Sequence, residues 1–136
     1  MEFVATNWYL FVALIVILFM LFGSSLTLAM NGVKSVNVTE AVQLVNHQKG
    51  VLVDVCEAAE YQQGHIPGTV SMPLSNFAAR SGELQKHKDK PVIIVCRSGN
   101  RSGRAAVMLR KQGFESVYNL SGGVSAWQRE NLPMEK

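Results

Sequence analysis

The chain has 136 residues, with 13 Lys and Arg against 10 Asp and Glu, a net charge of +3. Charged residues make up 17% of it, below the roughly 25% of an ordinary soluble domain, and the shortfall is local. Residues 3–33 contain no Asp, Glu, Lys or Arg, whereas residues 34–136 hold all 13 basic and nine acidic residues, a net +4. These figures exclude a disordered or collagen-like chain and predict one that is not wholly soluble. About 100 residues follow the uncharged stretch, which allows one ordinary domain. Two cysteines are too few for a disulfide framework or a four-cysteine zinc site.

Residues 8–22 form an unbroken apolar and aromatic run, extended by Gly23-Ser24-Ser25-Leu26-Thr27-Leu28-Ala29. As a helix, residues 8–29 would measure about 33 Å, enough for a bilayer core of about 30 Å. Thirteen of these residues are Leu, Ile, Val or Phe, which together favour insertion by about 4–8 kcal/mol. Trp8 and Tyr9 stand where an interfacial aromatic belt would. A cleaved signal peptide fits less well, because residues 1–7 carry no Lys or Arg and the apolar core exceeds the usual 7–15 residues. The expectation is a single-pass anchor over residues 1–30, contacting lipid through residues 8–29, and one domain over residues 31–136. Lys34 and Lys49 follow the segment and nothing basic precedes it. That bias puts the domain on the cytoplasmic side of a bacterial inner membrane, where its thiols stay reduced.

Along the domain, Val36 and Val38 alternate with polar residues as in a short edge strand, and Thr39 is placed to cap a helix carrying Ala41, Val42, Leu44 and Val45. Val51-Leu52-Val53-Asp54-Val55 reads as a strand buried on both faces. A turn at Gly64-His65-Ile66-Pro67-Gly68, a short extended piece at 70–72 and a helical turn or two at 74–79 follow. Pro91-Val92-Ile93-Ile94-Val95-Cys96 is the clearest strand and runs straight into Arg97-Ser98-Gly99-Asn100-Arg101-Ser102-Gly103. A helix follows with Ala105, Ala106, Met108 and Leu109 on one face, and Gly113 ends it. A strand at 116–120, a Gly122-Gly123 turn and a helix at 124–131 complete the pattern. Strands alternating with helices predict an α/β domain with a mostly parallel central sheet flanked by helices.

Chemistry is expected where a buried strand ends and a helix begins, since ligands bind at that edge of open α/β sheets. Cys96 ends its strand, and the Ser, Gly and Asn that follow allow a tight loop whose N–H groups turn inward as an anion-binding nest. Those N–H groups, with Arg97, Arg101 and Arg104, favour negative charge on sulfur, as thiolate or persulfide.

Here the sequence resembles the rhodanese family of single-domain sulfurtransferases over roughly residues 36–132. The markers are Val53-Asp54-Val55, Glu60-Tyr61-Gln62-Gln63-Gly64-His65-Ile66-Pro67-Gly68, the loop Cys96-Arg97-Ser98-Gly99-Asn100-Arg101-Ser102, and Leu120-Ser121-Gly122-Gly123-Val124 with Trp127, in that order. The resemblance implies that Cys96 takes sulfane sulfur from a donor such as thiosulfate or a protein persulfide and passes it on to an acceptor. It also implies that residues 97–101 donate N–H groups to the persulfide, that Arg97 and Arg101 attract an anionic donor, and that Ser102 hydrogen-bonds within the loop. Cysteine-based phosphatases place their arginine at Cys-x5-Arg; here Arg101 stands at Cys-x4-Arg, and the smaller loop suits one sulfur atom.

Many relatives carry arginine where this chain has Cys56. Cys56 is expected near Cys96 either as a small filler or, as the less favoured reading, as a resolving thiol. Asp54 is expected to be a hydrogen-bonded support and His65 a turn-stabilising residue. The spacing of His and acidic residues suggests no metal site, and no cofactor is implied. The run Lys86-His87-Lys88-Asp89-Lys90 reads as a solvated loop, with contact to anionic lipid the less favoured alternative. Nucleic-acid binding is not expected, because no aromatic residues interleave with the basic ones. A second functional class stays open: a membrane-tethered interaction module for a membrane or sulfur-relay partner, with little catalysis.

Overall fold

The structure, a computed structural model, describes residues 1–136, with side chains described outside residues 24–29. A short helix α1 (Glu2–Thr6) leads into α2 (Trp8–Met30). The described side chains of α2 are mostly exposed apolar groups, among them Phe19, Leu21 and Phe22. Among the described residues no helix is long and apolar enough to cross a membrane. The expected anchor over residues 8–29 takes in residues 24–29, which lie outside the described side chains.

Five parallel strands follow: β1 (Lys34–Val36), β2 (Val51–Asp54), β3 (Val70–Ser71), β4 (Val92–Val95) and β5 (Val117–Leu120). They form one sheet in the order β1-β5-β4-β2-β3. Because every pairing is parallel, all strands begin at one edge of the sheet and end at the other. The period-2 alternation of side chains divides β4 cleanly. Val92 and Ile94 face one core with Phe77, Leu109 and Phe114, and Cys96 continues that row. Ile93 and Val95 face the other core with Ala41, Leu120 and Trp127. Both faces are thus covered, as the near-continuous β-branched sequence of β4 requires.

The helices are α3 (Val38–Gln48), α4 (Ala58–Gln63), α5 (Phe77–Arg80), α6 (Asn100–Lys111) and α7 (Gly123–Arg129), with 3-10 turns at Leu74–Asn76 and Ser81–His87. Three local expectations are corrected. Val38 begins α3 rather than extending an edge strand, because Asn37, not Thr39, is the N-cap. The Asn37 side chain accepts the Glu40 N–H at 2.8 Å while Glu40 reaches back to the Asn37 N–H, a reciprocal capping box. Helix α4, unexpected from its sequence, is held by the same device between Glu57 and Glu60. The last helix ends at Arg129, short of the expected residue 131.

Candidate functional site

Cys96 sits one residue past β4 and is 1% exposed. Gly99 adopts φ +105°, a backbone region open to glycine. That turn aims the Gly99 N–H at the Cys96 Sγ, 2.9 Å away. Sγ lies 3.3 Å from the Ser102 hydroxyl on the first turn of α6. Ser102 in turn hydrogen-bonds the Asn119 Oδ1 of β5, and the Asn119 amide donates to the Gly99 carbonyl at 3.2 Å. Sulfur, hydroxyl, amide and loop backbone therefore form one buried network.

The outer side of the loop is fixed by α7. The Val124 N–H donates to the Cys96 carbonyl at 2.8 Å and the Ser125 N–H to the Arg97 carbonyl at 3.1 Å. With those carbonyls held outward, the neighbouring N–H groups are left to face sulfur. Burial alone pushes the Cys96 thiol up, but its contact with the Ser102 side chain and hydrogen bonds from the Ser102, Gly99 and Ser98 backbones outweigh it, and the net shift is downward. Once Cys96 ionises it no longer donates to Ser102, and the Ser102 proton can turn from Asn119 to the thiolate, so Ser102→Ala is expected to move the pH midpoint of Cys96 alkylation upward by about one unit, the worth of one good hydrogen bond to a thiolate. Iodoacetamide rates across pH measure it, and an unmoved midpoint removes the hydroxyl from the stabilising set.

The flanking charges differ from the sequence-based picture. The Arg101 guanidinium makes a two-pronged pair with Glu60 on α4, at 2.6 and 3.0 Å. The Arg97 Nε lies 3.5 Å from the same carboxylate. The Arg101 hydrogen bond is the main force holding the Glu60 carboxyl down at about 2. Both arginines expected to meet an anionic donor are thus turned toward one carboxylate. Arg104 is exposed and has no ion pair among the described residues, while Ser98 and Asn100 are exposed at the loop rim.

Among the supporting residues, Asp54 is buried and its Oδ1 accepts the Cys56 N–H at 2.8 Å. Cys56 is also buried, and burial together with the adjacent Asp54 pushes its thiol up to about 12. His65 stacks on Tyr61 with ring centroids 3.7 Å apart, its Nδ1 3.0 Å from the Tyr61 carbonyl and its Nε2 3.4 Å from Glu135. Those contacts, with the two backbone bonds His65 exchanges with Glu135, tie the Gly64–Gly68 turn to α4 and to the C-terminal segment. The sequence offered Glu60 and the Gly122–Gly123 turn only as family markers, with no role at the sulfur, and did not single out Asn119. A polar residue buried in an apolar strand was the available sign for Asn119.

A sequence model of the rhodanese-like domain matches residues 37–130. The chain belongs to the rhodanese-like family. It is 37% identical over 135 residues to YibN, an uncharacterized protein of Escherichia coli strain K12, covering 98% of this chain and 94% of that one. It is 37% identical over 95 residues to the thiosulfate sulfurtransferase GlpE of Pseudoalteromonas translucida, covering 70% of this chain and 89% of the relative. Among solved structures, a rhodanese-related protein from Thermoplasma volcanium superposes with a TM-score of 0.68 at 25% identity, over 75% of this chain and 97% of that one. The rhodanese-like α/β fold with its parallel central sheet accordingly spans the part of the chain that carries Cys96.

Proposed function

We propose that this rhodanese-like protein is a sulfurtransferase held at the bacterial inner membrane, with its domain on the cytoplasmic side, that carries sulfane sulfur as a Cys96 persulfide. The observation that carries this reading is the cradle itself: a buried sulfur facing the Gly99 N–H and the Ser102 hydroxyl, with its charged form favoured. Relatives named thiosulfate sulfurtransferase support the reaction class.

In the first step the Cys96 thiolate attacks the outer sulfur of a donor such as thiosulfate. The donor S–S bond breaks, sulfite leaves with the electron pair, and Cys96 becomes a persulfide whose terminal sulfur bears the charge. In the second step an acceptor nucleophile, cyanide in an assay or a relay protein's thiolate in the cell, attacks that terminal sulfur. The new S–S bond breaks and the Cys96 thiolate returns. No net proton or redox equivalent is needed, in keeping with a site that holds a charge and does not relay one. Cys56, protonated throughout the neutral range, fits the space-filling role rather than that of an attacking thiol.

The anchor reading rests on the apolar run of residues 8–29. The test of the chemistry is intact mass spectrometry of the full chain in detergent, reduced, incubated with thiosulfate and desalted. A gain of one sulfur on Cys96, with Cys56 unmodified, removed by cyanide and absent in Cys96→Ser, is expected. No gain from thiosulfate or from a protein persulfide overturns the sulfurtransferase reading and leaves the tethered interaction module.

A further inference from the structure

The positive charge of the domain is gathered at the sheet edge from which α2 departs. Since all strands run parallel, the segments entering them meet at one edge. Lys34 opens β1, Lys49 precedes β2, Lys86, Lys88 and Lys90 precede β4, and Arg110 and Lys111 close α6 ahead of β5. Seven cations thus share that edge with three acidic residues, Asp89, Glu115 and Glu83, the last paired to Arg80, whereas the remainder of residues 34–136 holds six basic and six acidic residues.

Contacts between these segments fix the arrangement. Arg110 packs under the Asn31-Gly32 exit of α2, so closely that a Cβ on Gly32 would overlap its Nε and lie 3.0 Å from its Nη2. The Arg110 Nη1 donates to the Phe114 carbonyl at 2.9 Å, and the Lys88 ammonium stands 6.0 Å from the Phe114 ring centroid. A continuous line therefore runs from the exit of the apolar helix to the lysine run. Lys34, Lys49, Lys86, Lys88 and Lys111 are all exposed along it.

We infer that this edge is a docking surface for an anionic lipid bilayer, laid flat on the headgroups by the helix that leaves from it. Lipid is the occupant favoured because the most apolar exposed element of the chain departs from the same edge, so anionic headgroups and acyl chains are met together. The proposal rests on the anchor reading. Cys96, at the opposite ends of the strands, then opens away from the bilayer, and sulfur is exchanged with partners in the aqueous phase.

The test uses the full chain in nanodiscs of phosphatidylcholine alone or with about one-third phosphatidylglycerol. Amine-reactive labelling is read lysine by lysine by mass spectrometry. In the anionic discs, labelling of Lys86, Lys88 and Lys111 is expected to slow about fivefold, the scale of one cation near an anionic surface. At 0.5 M salt the difference is expected to vanish, as screening requires. Equal rates in the two discs overturn the proposal. So does protection by added RNA in neutral discs with none from anionic lipid, which reassigns the edge to nucleic acid. The anchor is judged separately by flotation with neutral vesicles at high salt. A chain that stays with such vesicles yet labels equally in both discs has an anchor and no docking edge. A chain that does not float, but floats with anionic vesicles at low salt in a manner lost on K86E/K88E/K111E, has the edge and no anchor.

Discussion

Gly123→Ala is expected to destabilise the domain by roughly 3–5 kcal/mol and to lower sulfur loading about a hundredfold even where the protein stays folded. Gly123 has φ +55°, which costs a residue with a Cβ roughly 1–2 kcal/mol. Space adds to that: the new Cβ would overlap the Cys96 carbonyl oxygen and lie 2.8 Å from the Arg97 carbonyl carbon. The obstruction is backbone on both sides, so α7 must back away from the loop. Withdrawal breaks the bonds from Val124 and Ser125 to the loop carbonyls, each worth about 1 kcal/mol. For a domain of about 100 residues, Tm falls by at least about 12 °C. The loss in loading follows from misplacing the sulfur by about an ångström. Gly68→Ala is the control: φ there is +81° with nothing within 4 Å of a Cβ, so only the backbone term of roughly 1–2 kcal/mol applies, and full activity with a Tm loss of about 4–16 °C is expected. Equal losses from the two substitutions, measured by thermal melts and cyanide-discharge assays, refute the close approach as the cause.

Glu60→Gln is expected to separate stability from donor binding. The folded-state carboxyl sits near 2 against an ordinary 4.5. The pair with Arg101 therefore contributes stability that is fully present above about pH 4.5 and lost as pH falls toward 2. Wild type is expected to exceed the variant by about 1–2 kcal/mol at pH 7, a modest figure because the carboxylate is 30% exposed. The gap is expected to close near pH 2. Removing the carboxylate also removes repulsion toward a doubly charged donor. At an effective separation of about 6 Å in water that repulsion is of order 1.4 kcal/mol, a tenfold fall in KM for thiosulfate at low salt. Denaturant titrations from pH 2 to 8 and steady-state assays at two salt concentrations check both halves. A KM that rises instead shows that Glu60 aims the arginines at the donor.

The strand, loop and helix around Cys96 were legible because each signal is local: four β-branched residues, a Ser/Gly/Asn loop, then apolar residues at helical spacing. Helix α4 was not, since six residues of Ala, Glu, Tyr and Gln carry no periodicity and a capping carboxylate decides the matter. Val38 was misread because a three-residue alternation fits a strand and a helix start equally well. Glu60 meets Arg101 across 41 positions of sequence, a separation that only the folded α/β topology closes. The basic edge was hidden for the same reason, being split among four stretches that only parallel strand register assembles.

The clamp of α7 on the Cys96 loop has a consequence in time. The carbonyls of Cys96 and Arg97 are held by N–H groups that reach as far as Ser125, 29 residues further along. On the ribosome, at about 5–20 residues per second, Cys96 is therefore made about 1–6 s before the backbone that shapes its cradle. Throughout that interval the sulfur is an ordinary thiol on a nascent chain. Its reactivity switches on as a late event of synthesis, after the apolar N-terminal helix has already emerged.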